Sequence, residues 1–310
     1  MITDFKDGIF SVDAGYLHDG AAAVYIVRAG GEAAVIETAH NASLPRLLSA
    51  LRELGINKEC VKYLCVTHVH LDHAGGAGSY MREFPNAALV VHPRGARHMT
   101  DPQKLIEGVK AVYGEDETKR LYGEILPVDA ARVIAPEDGT ELPLGDVSLR
   151  CLHTAGHAKH HMVFFISRLG ALFSGDAFGI SYEWMHRGEW AFPAAAPVQF
   201  EPDDARASID AVLSLKPRSV FLTHFGELRF IEKAGAQLKA DLEKYVEIAT
   251  RSRGDKDSIK RALFDHYLDC AQRTGLQKDR AFIENALAID TELNAQGLAC
   301  WYAAKTARAS

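Results

Sequence analysis

The chain has 310 residues, of which 47% are hydrophobic and 25% are charged, and its formal net charge at pH 7 is −6. This composition excludes fibrous and disordered proteins, and the acidic balance gives no general attraction to nucleic acid or to anionic lipid. We therefore expect neither a nucleic acid nor a membrane as a partner. The amino terminus, MITDFKDGIF, is acidic where a secretion signal would be basic, and no later apolar run reaches membrane-spanning length, so we expect a cytoplasmic protein.

The first predicted elements alternate between strands and helices. Two β-rich runs, AAAVYIV and AAVIET, flank the turn residues AGGE between Ala21 and Thr38, a pattern that predicts a hairpin. The segment from Leu44 to Gly55 has apolar residues at helical spacing and ends on glycine, which predicts a helix. The runs VKYLCVT and ALVVH that follow are typical of further strands.

The middle of the chain indicates antiparallel sheet, and its end indicates helices. Between Arg132 and Asp176 the short runs RVIA, VSLRCLHT, HMVFFIS and ALFSGD are separated by Gly, Pro and Asp, and SVFLTHFG adds one more strand. After Gly226 the apolar spacing becomes helical. We predict an α/β domain over residues 1–226 and a C-terminal region of three helices over residues 227–310.

The stretch VTHVHLDHAGG crowds histidines and an aspartate behind a predicted strand. His68 and His70 are two residues apart in an extended segment, so both side chains can face one cation. Asp72 and His73 follow where the chain turns, which suits a second cation beside the first. Histidine makes up only 14 of 310 residues, so chance clustering of this kind is rare.

Further metal-ligand types recur at the ends of later strands. His157 lies in a Gly-containing turn, Asp176 ends ALFSGD, and His224 ends SVFLTHFG. Each of these signals is weak alone, because a single loop histidine is usually just a satisfied polar residue. Their recurrence predicts one site with two metals.

Sorting the ligands by type divides them between the two metals. The first metal takes three imidazoles, those of His68, His70 and His157, while the second takes Asp72, His73 and His224, with Asp176 as the bridge. Two metals ~3.5 to 4 Å apart can share a hydroxide whose pKa falls toward ~7. Nitrogen and oxygen ligands suit zinc, with iron, manganese or cobalt as alternatives. The five cysteines form no CxxC pair, and we expect them to be buried apolar residues.

The motifs THVHLDHAGG, TAGH, SGD and THFG, in this order, resemble the pattern of the metallo-β-lactamase superfamily across residues 12–226. The resemblance implies an αββα sandwich with the metals at the edge of the sheets. All seven ligands named above fall on ligand positions of the family. The pattern is specific for the fold and much less so for the substrate.

The resemblance is strongest to lactonases and to glyoxalase II-like thioesterases. True β-lactamases lack the bridging aspartate that Asp176 provides here. The nucleases of the superfamily usually carry basic extensions, and flavodiiron proteins have Glu in place of His70. What remains implies a hydrolase of a small carboxylic ester, with a lactone favoured over a thioester. A hydroxide bridging the metals would attack the carbonyl, and Asp72 would handle the proton.

Tyr182 is the second candidate catalytic residue. It resembles a tyrosine of the lactonases that donates a hydrogen bond to the substrate, although its distance from the bridging aspartate differs. The alternative is that the aromatic residues of the segment 179–197 pack on the core or on a partner subunit. His161 suits either support of a ligand or packing, and we expect His98 and His160 at the surface.

Two other functions are also compatible with the sequence. One is a mononuclear iron persulfide dioxygenase of the same fold, which would not need His224, and the other is a ligand-binding protein without turnover. In each case the partner is a small molecule. The C-terminal helices suit either a cap over the active site or the interface of a homo-oligomer.

Overall fold

The computed structural model describes residues 2–195 and 198–309, which form two compact units. Unit 1 consists of Met1–His153, His160–Gly175 and Pro217–Glu227, and unit 2 consists of Thr154–Lys159, Asp176–Lys216 and Leu228–Ser310. The last break lies next to the boundary expected after residue 226. Because two earlier segments also belong to unit 2, the division into residues 1–226 and 227–310 stays a prediction.

The first sheet lies in unit 1 and, within the described residues, has seven strands that follow one another in chain order. They are β1 (Ile2–Asp4), β2 (Ile9–Asp13), β3 (Ala23–Ala29), β4 (Glu32–Ile36), β5 (Val61–Cys65), β6 (Ala88–Val90) and β7 (Val133–Ile134). The first four are antiparallel neighbours and the last four are parallel. The predicted hairpin is confirmed, because β3 pairs antiparallel with β4.

The second sheet has six strands within the described residues, in the spatial order β13-β12-β11-β10-β9-β8. They are β8 (Glu141–Leu144), β9 (Val147–His153), β10 (Met162–Ile166), β11 (Ala171–Gly175), β12 (Ser219–Leu222) and β13 (Gly226–Leu228). From β8 to β11 the neighbours are antiparallel, as predicted, whereas β11 and β12 are parallel. The carboxyl ends of β11 and β12 therefore lie at the same edge of this sheet.

Strand β3 shows how the core of unit 1 is built. Its side chains alternate between two apolar clusters, with Tyr25 and Val27 in one and Val24 and Ile26 in the other. The first cluster also contains residues of the second sheet, so Tyr25 packs edge-on against Phe173 with ring centroids 5.4 Å apart. The second cluster contains helix residues. Both faces of β3 are thus buried, which explains its continuous apolar sequence.

The helices of unit 1 connect the strands of the first sheet. They are α1 (Leu44–Glu53), α2 (Leu71–Ala74), α3 (Ala77–Glu83), α4 (Pro93–Thr100), α5 (Gln103–Tyr113) and α6 (Glu115–Tyr122). The predicted helix from Leu44 is confirmed as α1, which buries Leu47, Ala50 and Leu51 against the helix-side cluster. The short helix α2 begins directly after the HVH stretch and so sets the direction of the side chains that follow it.

Unit 2 contains the remaining helices: α7 (Glu183–His186), α8 (Pro202–Ser214), α9 (Ile231–Arg251), α10 (Lys256–Arg273), α11 (Arg280–Ala286) and α12 (Ala288–Ala309). The prediction of three helices after residue 226 is wrong, because the described part of this region has four. The apolar spacing from Phe282 to Leu293 spans two helices, which are divided at Leu287, where φ is −111° and ψ is 16°. Strand character also extends two residues beyond Gly226, to Leu228.

A buried hydrogen-bond network joins three of these helices. The amide nitrogen of Asn294 on α12 donates to the hydroxyls of Tyr267 on α10 and Tyr245 on α9, at 2.8 and 3.3 Å. The two tyrosine hydroxyls lie 2.5 Å apart.

Among the helices of the described residues, none is both long enough and apolar enough to cross a lipid bilayer.

Candidate metal centre

The HVH stretch brings two imidazoles together at the end of β5. The chain leaves the sheet after Cys65, and His68 and His70 point to one side before α2 begins at Leu71. The Nε2 atom of His68 lies 2.9 Å from the Nδ1 atom of His70. His68 is fully buried, while His70 is half-buried. The pair therefore presents two nitrogen atoms to one point.

A second group forms next to the first within unit 1. His224, which follows β12, has its Nε2 atom 3.2 Å from the Nε2 atom of His73 and 3.4 Å from Oδ2 of Asp72. The third distance, from His73 Nε2 to Asp72 Oδ2, is 3.8 Å. These three ligand atoms come from α2 and from a strand end about 150 residues further along the chain, and they converge closely enough to hold one ion.

Hydrogen bonds on the far side of each ring fix the tautomers of this group. The Nδ1 atom of His73 donates to Oε1 of Glu37 at 3.0 Å, and Nδ1 of His224 donates to the carbonyl of Ala21 at 2.7 Å. A carboxylate and a carbonyl can only accept, so in both neutral rings the lone pair is on Nε2. The two Nε2 atoms thus lie 3.2 Å apart, close enough to bind the same cation. The donor set fits a metal ion.

Glu37 orients several side chains of this region, and this role was not predicted from the sequence. Its side chain is completely buried and accepts hydrogen bonds from the hydroxyls of Thr67 at 2.5 Å and Thr223 at 3.1 Å, besides that from His73. Thr67 and Thr223 each directly precede a candidate ligand, His68 or His224. The available signal was the position of Glu37 at the end of strand β4, the same kind of position that the candidate ligands occupy.

Thr67 links Glu37 to the first pair of imidazoles through hydrogen bonds. Because its hydroxyl donates to the carboxylate of Glu37, its oxygen accepts from Nδ1 of His68 at 3.1 Å. The lone pair of His68 is therefore on Nε2, the atom that faces His70. One buried carboxylate thus orients a ring in each of the two groups of unit 1.

Unit 2 contains the other two candidate ligands, His157 and Asp176. The Nε2 atom of His157 lies 3.4 Å from Oδ2 of Asp176, and its Nδ1 atom donates to the carbonyl of Ala194 at 3.0 Å. Both side chains are more than nine-tenths buried. A small cavity of about 10 Å³, with space for about one water molecule, is lined by both residues and by apolar side chains such as Phe200 and Leu238.

The chain connects these two residues directly to the ends of sheet strands. His157 follows β9 by four residues, and Asp176 follows Gly175, the last residue of β11. Gly175 has a positive φ of 51°, and a Cβ atom there would lie 2.4 Å from Oγ1 of Thr67. Only glycine allows this close approach. The end of β11 is therefore held against the residue that precedes His68.

Tyr182 lies at the start of α7 in unit 2. Its hydroxyl donates to both carboxylate oxygens of Asp290 on α12, at 3.1 and 3.2 Å. The side chain is nearly buried, which agrees with the packing alternative, while its catalytic role stays a prediction. In the segment 179–197, residues 196 and 197 lie outside the described residues.

Among the other histidines near the motif, one is not at the surface as expected. His160 is buried instead of lying at the surface, because its ring packs 5.6 Å from that of His70 and its Nδ1 atom accepts from the backbone of Val69 at 3.5 Å. His98 is half-buried. The ring of His161 stacks on that of His68 at 4.8 Å, which is compatible with both roles considered for it.

The chain is similar to known proteins over much of its length. The family model of the metallo-beta-lactamase superfamily matches residues 18–224. The chain is 28% identical over 168 residues to the metallo-beta-lactamase fold-containing protein ST1585 of Sulfurisphaera tokodaii, covering 53% of this chain and 60% of that protein. It is 27% identical over 173 residues to hydroxyacylglutathione hydrolase GloC of Haemophilus influenzae, covering 51% of this chain and 68% of that one.

A solved structure extends the likeness to nearly the whole chain. The metallo-beta-lactamase family protein TTHA1429 from Thermus thermophilus superimposes with a TM-score of 0.67 at 22% identity, covering 99% of this chain and 96% of that one. At this identity the likeness concerns the fold alone. The predicted fold class, an α/β sandwich with a C-terminal helical extension, is confirmed.

Proposed function

The chain belongs to the metallo-beta-lactamase superfamily, and from this premise we propose that it hydrolyses a small carboxylic ester with the help of two divalent metal ions. The family match and a relative named as a hydrolase support metal-dependent hydrolysis. The number of metals and the substrate are the proposal.

The observation that carries the proposal is the convergence of the Nε2 atoms of His73 and His224 with Asp72. Their Nε2 atoms are 3.2 Å apart with Oδ2 of Asp72 beside them, and the hydrogen bonds to Glu37 and Ala21 prevent either ring from turning its N–H toward the other. A mononuclear iron centre would not need this group. Its intact geometry supports two ions over one.

The proposed ligand sets are those of the sequence motifs. The first metal would be held by His68, His70 and His157, the second by Asp72, His73 and His224, and Asp176 would contribute to both. All donors are nitrogen or oxygen, so we expect zinc, with iron, manganese or cobalt as alternatives. When bound, such ions supply Lewis acidity, which acidifies a water molecule and polarises a carbonyl group.

The chain's own groups complete the chemistry. The carboxylate of Asp72 is about one-quarter exposed, so it can accept the proton of the attacking water and return it to the leaving group. Tyr182 is the proposed hydrogen-bond donor to the substrate oxygen. Because its hydroxyl donates to Asp290, this role requires that the substrate compete with that carboxylate.

Two classes of carboxylic derivative are candidate substrates. A lactone is the first candidate, on the resemblance of Tyr182 to the lactonase tyrosine. A thioester is the second, and the observation that favours it is the relative GloC, named a hydroxyacylglutathione hydrolase, since an acylglutathione is a thioester. Both substrates release acid on hydrolysis, so a pH-indicator assay with a panel of lactones and acylglutathiones measures them under the same conditions.

Metal content provides the direct test. We expect His224→Ala to lower the divalent metal content by about one equivalent per chain relative to the unaltered protein, because one ligand set loses a member. His18→Ala, which removes an exposed histidine outside both sets, is the matched control and should leave the content unchanged.

Other outcomes separate the alternatives. An unchanged metal content in the His224→Ala protein would contradict the two-metal assignment, and iron as the metal at this centre with oxygen consumption on a persulfide would establish the dioxygenase instead. A fully metal-loaded protein that releases no acid across the panel would indicate a ligand-binding protein of the same fold.

A further inference from the structure

A second convergence of ligand-type side chains lies in unit 2, within the C-terminal helices. His266 and Cys270 are four residues apart on α10, so they share one face of that helix, and this face meets Asp241 on α9. The Nε2 atom of His266 lies 2.9 Å from Oδ1 of Asp241 and 3.6 Å from Sγ of Cys270. All three residues belong to unit 2, and their ligand atoms converge on one point.

The distances fit a tetrahedral ion. With metal–nitrogen and metal–oxygen bonds of about 2.0–2.1 Å and a metal–sulfur bond of about 2.3 Å, neighbouring ligand atoms are separated by about 3.3–3.6 Å. The sulfur–nitrogen separation already has this value, and the nitrogen–oxygen separation would lengthen by a few tenths of an ångström. The Sγ atom of Cys270 also lies 3.9 Å from Nδ1 of His266, so the ring rotates on binding to direct its Nε2 atom at the ion that the thiolate holds.

The second carboxylate oxygen of Asp241 is an independent observation that points to a ligand. Asp241 is 5% exposed, and its Oδ2 atom is buried without a hydrogen-bond partner among the described residues. Leaving a buried carboxylate oxygen unsatisfied is costly, by roughly 1–3 kcal/mol or more for a charged group. A cation that binds both oxygens of this carboxylate would satisfy it.

The charges are also suited to a divalent ion. A carboxylate and a thiolate together neutralise two positive charges, and the imidazole contributes a neutral donor. Burial, followed by the charge of Asp241, raises the pKa of the Cys270 thiol to about 12, so without a cation the thiol keeps its proton. Arg273 reaches Sγ of Cys270 at 3.3 Å, but its side chain is mostly exposed and pairs with Asp269 at 3.0 Å, so it can turn toward solvent.

We propose that Asp241, His266 and Cys270 form an additional metal site, separate from the histidine-rich centre, for a thiolate-binding divalent cation such as zinc. On binding, the cation displaces the thiol proton to solvent and takes a water molecule as its fourth ligand. The ion links α9 to α10 and stabilises the helical region. Of the cysteines, Cys65, Cys151 and Cys270 are buried as expected, whereas Cys60 is half-buried and Cys300 is exposed.

Cobalt binding tests this site without reference to activity. The full-length protein, stripped of metal by a chelator, is titrated with Co²⁺ while the near-ultraviolet thiolate-to-cobalt charge-transfer band is recorded. The proposed ligands of the histidine-rich centre include no cysteine, so this band reports only a cysteine ligand. We expect the band to saturate at about one equivalent per chain, to vanish in Cys270→Ser, and to persist in the control Cys300→Ser.

The remaining outcomes decide the question. A wild-type protein without the band, or a band that persists in Cys270→Ser, overturns the proposal. If Cys270→Ser does not fold, as judged by circular dichroism, His266→Gln replaces it: a higher cobalt concentration at half-saturation of the band supports the site, and an unchanged titration overturns it. Because His224→Ala leaves all three residues intact, failure of the hydrolase proposal is observed separately from failure here.

Discussion

Glu37 is the residue on which the orientation of both imidazole groups in unit 1 depends. Its Oε1 atom accepts hydrogen bonds from the side chains of Thr67, Thr223 and His73, and its Oε2 atom accepts one from the backbone N–H of Thr67 at 3.3 Å. An amide in its place offers one acceptor oxygen and turns an NH₂ group toward at least one of these donors. Groups that orient metal ligands in this way typically contribute 10- to 100-fold to metal affinity.

We therefore expect Glu37→Gln to weaken zinc binding by about 10- to 100-fold, measured by competition with a chromophoric chelator. The matched control is Glu32→Gln on the same strand, β4, whose carboxylate forms a surface ion pair with Lys62 at 2.9 Å. Equal affinities of the two variants would mean that Glu37 has only a structural role.

A substitution of Tyr182 distinguishes a catalytic role of this residue from a role in packing. Tyr182→Phe keeps the ring and removes the hydroxyl, so it loses the bonds to Asp290 and, on our proposal, a bond to the substrate. We expect a drop in kcat larger than any change in KM, together with a loss of about 1 kcal/mol in the free energy of unfolding.

Asp290→Asn is the control for this variant, because it weakens the same internal contact and leaves the tyrosine hydroxyl in place. Turnover close to that of the unaltered protein is expected for this control. If both variants lose stability to the same extent and both keep full turnover, the tyrosine belongs to the packing of its segment and not to the catalytic groups.

The candidate ligands could be predicted from sequence because each follows an apolar strand, and a strand end is a local feature. His68 and His70 required only the alternation of an extended chain. Glu37 also follows an apolar strand, but this position does not reveal its role, since that role depends on Thr67 and Thr223, which lie 30 and 186 residues further along the chain. The burial of His160 has the same origin, because the ring of His70 and the backbone of Val69 cover it from another segment.

At the level of elements, strand periodicity predicted most of the sheets, and helical periodicity was less informative. The strands around β3 have apolar side chains on both faces, so their sequences are continuous runs bounded by turn residues. The helices α11 and α12 share one apolar spacing, and their division at Leu287 carries no Gly or Pro to mark it. Tertiary packing decides such a break.

Helix α4 carries a pH-dependent contribution to stability. It begins after His92, whose Nδ1 atom accepts from the backbone N–H of Arg94 at 3.0 Å and so caps the helix. Burial, followed by the neighbouring His153 and Arg94, lowers the pKa of His92 from 6.5 to about 4. Protonation places a hydrogen on Nδ1 and removes the cap.

The lowered pKa of His92 determines how the stability of the protein changes with pH. Between about pH 6.5 and pH 4 the unfolded chain binds a proton at His92 and the folded chain does not, so the free energy of unfolding falls as the pH decreases through this window. We expect His92→Asn, which keeps a good cap without a titrating group, to lose less stability than the unaltered protein between pH 7 and pH 5. Urea denaturation of the metal-free proteins measures the difference, with His18→Asn as the control; identical pH dependence in all three would contradict this role of His92.

At the scale of the whole molecule, metal binding and folding should be linked. The seven proposed ligands come from residues 68 to 224, and the unfolded chain rarely brings such distant side chains together, so the metals stabilise only the folded state. At a free zinc concentration 100- to 1,000-fold above Kd, the expected gain is about 2.7–4.1 kcal/mol for each ion bound. For a chain of this length this corresponds to an increase in Tm of about 4–6 °C over the chelator-treated protein.

Differential scanning calorimetry over a series of zinc concentrations measures this increase, which should continue to grow with the logarithm of free zinc. Magnesium is the matched control, because it prefers oxygen ligands and imidazoles do not suit it, so it should leave Tm nearly unchanged. His224→Ala should retain only part of the zinc effect, since one ligand set is then incomplete. A full zinc shift in that variant, or an equal shift with magnesium, would mean that the stabilisation comes from general ion binding and not from the proposed ligands.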